Sequence, residues 1–199
     1  MQVGMTIAFA LTLAAGQAPV DVRQMYDSGR YQDVVKANEQ ATADDDRTSR
    51  LRFLTAQSYA KLNDGDAARR TYQRLAEGGA SPWASIGKSA LQLMDKQLDQ
   101  SLESANQAVR AGDSLPEAHY QRGIVLMSKM EYGEAASAFA KATQLDPTFA
   151  AANYYGGLAN YRAKRIDLMT NNFEAFVKLA PNAPERQEVE AILRTVRGR

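Results

Sequence analysis

The sequence predicts an all-α chain built as a row of stacked helical hairpins, and three observations carry that prediction. Alanine and glutamine are abundant while β-branched residues are sparse, which favours helix throughout. Small, aromatic and proline residues recur in phase: Gly157 follows Gly123, Phe173 follows Phe139 and Pro181 follows Pro147, each at about 34 residues. Within the predicted helices, residues spaced three and four apart share one face. Gly123 and Ala135 mark the closest approach of two helices, since any longer side chain there would push them apart. Phe139 fills the space beside that contact, and Ala142 keeps the next hairpin near. Pro147, with Asp146 before it, ends the second helix and presets the start of the next. Helices of about fourteen residues are marginal alone in water, so hairpins of this kind persist only by stacking.

The stretch Pro116–Phe149 resembles one tetratricopeptide repeat. Against the pattern W-x2-L-G-x2-Y…A-x3-F…P it reads His119-x2-Arg122-Gly123-x2-Leu126, then Ala135-x3-Phe139, then Pro147. His119 and Arg122 depart from the expected Trp and Leu. The resemblance implies a right-handed α-solenoid of about five repeats, approximately 17–48, 49–81, 82–115, 116–149 and 150–183, with a C-terminal capping helix over 184–199. It is closest in the fourth and fifth repeats and most distant in the first and third. Five repeats and a cap leave no room among these residues for a catalytic domain.

Taken in order, Met5–Ala15 is an uncharged apolar run followed by Gly16-Gln17-Ala18-Pro19. It is too short to span a bilayer and has the length of a signal-peptide core, so residues 1–16 are read as a signal peptide. Met1–Met5 lacks the usual Lys or Arg, and the alternative is an apolar first helix docked on the array. Export would place the mature protein in a periplasm or outside the cell; without cleavage it would be cytoplasmic. In the first repeat, Val20–Ser28 supplies a short helix, Gly29-Arg30-Tyr31 a turn, and Val34, Asn38 and Ala41 the second helix. Asp44-Asp45-Asp46 falls between repeats, where aspartates cap the next helix rather than bind metal. In the second repeat, Ala56 and Tyr59 precede the turn Asn63-Asp64-Gly65-Asp66, and Ala68, Tyr72 and Leu75 follow it. A calcium loop there fails, because Ala60, Leu62 and Thr71 stand where ligands are needed.

Gly78-Gly79-Ala80-Ser81-Pro82 opens the third repeat. Gly87-Lys88-Ser89 looks like the end of a phosphate loop, but Pro82 stands where its first glycine belongs and Trp83 through Met94 reads as helix. Ser101, Ala105 and Ala108 complete the second helix, which Gly112-Asp113 ends. In the fifth repeat Met169 and Phe176 replace the expected small residues, so the packing changes as the array ends. Pro184–Val196 then reads as a capping helix, acidic early, basic late, with Val189, Ile192, Leu193 and Val196 as its apolar stripe.

Composition narrows the chemistry. A formal net charge of +1 gives no support to a nucleic-acid partner. The absence of cysteine removes disulfides and thiol catalysis, and with His119 as the one histidine it removes the common zinc sites and cysteine–histidine pairs. His119 sits where a tryptophan packs, so a structural imidazole is expected. No serine lies in a nucleophile elbow. Glu131 and Glu134 begin a helix, where acids are expected anyway. The chain is therefore read as non-catalytic, without cofactor or metal.

What the resemblance adds is a place for a partner. In this family the first helix of each repeat lines the concave surface at fixed offsets. Here these fall on Arg50, Phe53, Gln57 and Ala60, then Trp83, Ile86, Ala90 and Leu93. Next come Glu117, Tyr120, Ile124 and Met127, and finally Ala151, Tyr154, Leu158 and Tyr161. The expected groove is lined by Trp83, Ile86, Tyr120, Ile124, Tyr154, Leu158 and Tyr161, with Gln121, Tyr155 and Arg162 as hydrogen-bonding groups. It would hold a protein or peptide segment, with Tyr and Trp as anchors. The alternative at these positions is ordinary packing between first helices. A carboxylate-tail clamp would need Lys and Asn where Tyr120, Ile124 and Tyr154 stand. No nucleic acid and no membrane insertion after leader removal are expected, and the oligomeric state is open. Two other readings stay in view: a structural subunit or assembly factor of an envelope complex, working through its ends or convex face, and a carbohydrate-binding or hydrolytic use of the tyrosine cavity.

Overall fold

The computed structural model describes residues 21–39 and 46–198, so the leader and the run Asp44-Asp45 lie outside the described residues. Among the described residues there are eleven helices and no strand. They are α1 (Val22–Asp27), α2 (Tyr31–Glu39), α3 (Asp46–Lys61), α4 (Gly65–Ala76), α5 (Pro82–Met94), α6 (Leu98–Ala111), α7 (Pro116–Ser128), α8 (Tyr132–Leu145), α9 (Ala150–Arg162), α10 (Ile166–Leu179) and α11 (Arg186–Arg197). Each odd helix pairs with the even helix after it, and each of α2, α4, α6 and α8 packs on the next hairpin. The odd helices also touch one another in sequence from α1 to α9. They form an inner wall and the even helices an outer one, giving an all-α solenoid of helix–turn–helix units.

The expected close approaches are present. A Cβ on Gly123 would lie 2.7 Å from the Phe139 ring, and one on Gly157 would run into Phe173. Phe139, Phe173, Ala135 and Ala142 are fully buried. In the third hairpin the same contact falls on Ser89 and Ser101, joined by a hydrogen bond from the Ser101 hydroxyl to the Ser89 carbonyl (2.8 Å). At the C-terminal end Met169 and Phe176 are buried and build a second apolar cluster with Val189 and Leu193 of α11. The bulk that replaces the small residues is thus covered by the last helix.

The turns inside the hairpins share one geometry. Gly29, Asn63, Lys96, Met130 and Lys164 each have a positive φ, between 59° and 73°. The next residue's amide reaches back five positions, as in Glu131 N to Leu126 O (2.9 Å) and Arg165 N to Asn160 O (2.8 Å). This is the Schellman ending, in which a left-handed residue satisfies orphan carbonyls of the preceding helix. Between hairpins the signal is that of a helix start, where Ser81 accepts from Ala84 N (3.1 Å) with Pro82 at the first position. Inside the second hairpin Asp64 caps α4 in the same way through Ala67 N (2.9 Å).

Candidate binding site on the inner face

The inner wall curls tightly enough that its first element meets its last. Gly29, in the turn after α1, lies against Pro184, where a Cβ would come within 2.9 Å of the proline ring. Lys61 at the end of α3 donates to Glu185 (2.6 Å) just before α11. Arg23 of α1 reaches past α3 and α5 to α7, where its Nη2 donates to Glu117. Its guanidinium also lies 4.1 Å from the centre of the Phe149 ring. Helix α1 therefore lies across the inner face.

Beneath it is a cavity of about 310 Å³. Tyr26 of α1 forms one wall, Gln57 and Ala60 of α3 and Leu93 and Met94 of α5 the mouth, and Tyr120, Gln121, Ile124 and Tyr155 the far side. Burial pushes the phenols of Tyr26, Tyr72 and Tyr120 well above the ordinary tyrosine range, so these rings are neutral hydrogen-bonding groups. A second, water-sized cleft of about 20 Å³ lies between Tyr26, Asp27, Tyr154 and Glu185. Asp27 there is pushed up to about 7, first by burial, with Arg23 pulling it down and Asp21, Asp146 and Glu185 adding to the rise. Burial lifts Tyr154 to about 12. At Lys61 burial is the largest influence and would lower the ammonium, but the hydrogen bond it donates to Glu185 together with the nearby Tyr155, Glu185 and Tyr31 makes the net shift upward.

The sequence-predicted lining divides into three groups. Tyr120, Gln121, Ile124 and Tyr155 are brought together at the cavity, and Tyr154 lies beside Tyr155 with ring centres 5.1 Å apart. Trp83 and Ile86 are buried core residues instead, at 3% and 0% exposure, with Trp83 tilted against Phe53. Tyr120 is itself only 2% exposed, enclosed by Phe53, Phe139, Phe149 and Tyr155. The physical reason is curvature: successive first helices close on each other, and the stripe nearest their axis becomes packing. Gln121 spends its amide on the Ser89 hydroxyl (3.1 Å) inside the core. Leu158 packs toward α10 and α11, and Tyr161 and Arg162 face solvent at the end of α9. His119 is nearly buried, with Nε2 2.8 Å from the Asp113 carbonyl, so it ties α7 to the preceding loop.

Sequence reasoning missed Arg23, Tyr26 and Asp27 of α1. The one available signal was Glu117, an acid at the inner-face offset where the second repeat carries the base Arg50 and the third and fifth carry Trp83 and Ala151. It is fully buried, and besides Arg23 it accepts from Arg50 Nε (2.7 Å).

This geometry defines an all-helical repeat scaffold with an apolar cavity on its inner wall. Comparison with solved structures gives the fold its name: the chain has the tetratricopeptide-repeat fold. It is similar to a thermophilic tetratricopeptide protein of Thermus thermophilus, at 18% identity and a TM-score of 0.61, over 87% of this chain and 94% of that one. It is similar to the first tetratricopeptide domain of Spaghetti (RPAP3) bound to an HSP90 peptide, at 16% identity and 0.55, over 59% and 91%. YrrB, described as a tetratricopeptide protein with an unusual peptide-binding site, matches at 16% identity and 0.53, over 85% and 88%. No protein-family model and no curated protein sequence matches the chain.

Proposed function

We propose that this protein is a non-catalytic scaffold that holds a segment of a partner polypeptide on its inner face, in the cell envelope. The observation that carries the reading is the 310 Å³ cavity, lined by inner helices of successive hairpins together with Gly65, Ala68 and Tyr72 of α4, and apolar at Leu93 and Met94. Its size suits one or two large side chains of a docked segment, with Gln57 and Lys61 placed at the rim to meet backbone groups. The peptide-bound and peptide-binding neighbours support that use of the fold. The envelope assignment rests on the apolar leader, and a native protein whose N-terminus is still Met1 would overturn it.

A second reading, a structural subunit docked by its edge, is favoured by one observation. Met94, Met130, Tyr161, Ile166 and Leu168 are the exposed large apolar residues among those described, and all sit at or beside the turns inside hairpins. Site-specific photocrosslinking in native extract separates the two. A crosslinker at Leu93 is expected to capture a partner polypeptide, while one at Lys141 on the outer helix α8 or at Leu168 captures none. Capture from Leu168 alone would favour the structural subunit and overturn the groove.

A further inference from the structure

We infer that the inner face carries a guanidinium site, and that α1 occupies it in place of an arginine supplied by the partner segment. This rests on the groove reading and gives its occupant a chemistry. Glu117, in the first turn of α7, is 0% exposed. Arg23 Nη2 and Arg50 Nε both donate to its Oε1, and Arg50 Nη2 lies 3.5 Å from Oε2. Arg23 Nη1 is 3.4 Å from an Asp146 carboxylate oxygen and is buried without a hydrogen bond. The Phe149 ring, itself stacked on Tyr120 at 5.0 Å, lies under the same guanidinium. Two carboxylates and an aromatic platform around one planar cation form a receptor for arginine rather than lysine, whose compact ammonium can neither fork between carboxylates nor stack.

Receptor and occupant differ in how firmly they are held. Glu117, Asp146 and Phe149 belong to the fourth hairpin and its exit turn, in the middle of the stacked array. Arg23 is carried by a helix of six residues, too short to be stable by itself. Arg50, half exposed, keeps Glu117 paired when Arg23 leaves. Tyr26, one helical turn beyond Arg23, walls the cavity, so departure of α1 opens the guanidinium site and the cavity together. A segment with arginine and, three positions on, an aromatic residue would reproduce both contacts of α1.

The test is panning of a phage-displayed random peptide library on the full chain carrying Arg23→Ala. Recovered peptides should be enriched in arginine followed three residues later by an aromatic. A synthetic peptide of that kind should bind Arg23→Ala roughly 10-fold more tightly than the wild type, because α1 no longer competes. Replacing its arginine by lysine, or introducing Asp146→Asn in the protein, should reverse the gain. Should Arg23→Ala fail to fold, Tyr26→Ala removes the other anchor of α1 without leaving Glu117 unpaired; Arg23 is then displaced more readily, and the same enrichment is expected. Peptides without arginine would leave the groove standing and overturn the guanidinium site. Equal affinity for wild type and variant would overturn occupancy by α1, and no recovered peptide would overturn groove and site alike. Concentration-dependent dimerisation that a peptide reverses would place the arginine on a second copy and overturn the choice of partner.

Discussion

Gly87 lies in α5 where the end of α4 passes, and a Cβ there would stand 2.7 Å from the Ala76 nitrogen and 2.8 Å from the Tyr72 carbonyl oxygen. Gly123 is equally close to a neighbour, but that neighbour is a phenylalanine ring able to turn. Backbone cannot yield without moving a helix, so Gly87→Ala should cost more than Gly123→Ala, by about 1–3 kcal/mol of overpacking in urea unfolding. Equal losses would mean that α4 and α5 slide freely. The opposite sign is expected at Met130, which is 72% exposed and held at φ 63° in its turn. Met130→Gly removes a left-handed penalty at the expense of a looser unfolded chain, for a net gain of about 0.5–1 kcal/mol. Gly123 was legible in the sequence because its partner recurs at a fixed interval. The need for glycine at Gly87 was not, because the obstructing atoms are backbone, which carries no residue signature.

At the scale of elements, α1 is the piece whose attachment titrates. Asp27 sits near 7 in the folded chain, against an ordinary value of 3.8, chiefly through burial. The folded state thus binds this proton more tightly than the unfolded chain does. Below about pH 3, under both values, the carboxyl is protonated in both states and costs nothing. The penalty builds as pH climbs from there and is complete above pH 7. Asp27→Asn keeps the shape and removes the charge, so the variant should exceed the wild type in stability at pH 8 and match it near pH 3. The ceiling is ~4 kcal/mol, and detachment of α1 offers the wild type a cheaper escape. Urea midpoints at the two pH values check it, and an equal difference at both would overturn it. The positions of the hairpins were legible because each is a local pattern of small and aromatic residues. What covers the inner face was not: Arg23 and Glu117 are 94 residues apart, and no local period announces such a pair. The same gap explains why Trp83 and Ile86 read as lining and why Tyr120, which does border the cavity, is also core. The offset names the inner side of a helix, and only the curvature of the whole row decides whether that side meets a guest or the next helix. Tyr120→Ala should accordingly cost about 3–5 kcal/mol as a core truncation. Tyr154→Ala, at a partly buried ring, should lower the melting temperature less.

At the scale of the whole molecule, the ends are joined. In an open repeat array each unit contacts only its neighbours, and the two ends fray independently. Here the Gly29 turn rests on Pro184 and Lys61 bonds Glu185, so the first and last units share a boundary. Leu193 of α11, 6% exposed, anchors the cap that presents Pro184 and Glu185. Leu193→Ala should destabilise that cap by about 2–5 kcal/mol. Because α1 leans on it, amide exchange should rise in α1 and α2 as well as in α10 and α11, while α5 and α6 keep their protection. Faster exchange confined to α10 and α11 would mean that the ends are independent and that α1 is held by Glu117 and Phe149 alone. On the reading proposed above, a partner arginine at Glu117 displaces α1, and the boundary shared with Pro184 and Glu185 carries that displacement to the cap at the far end of the array.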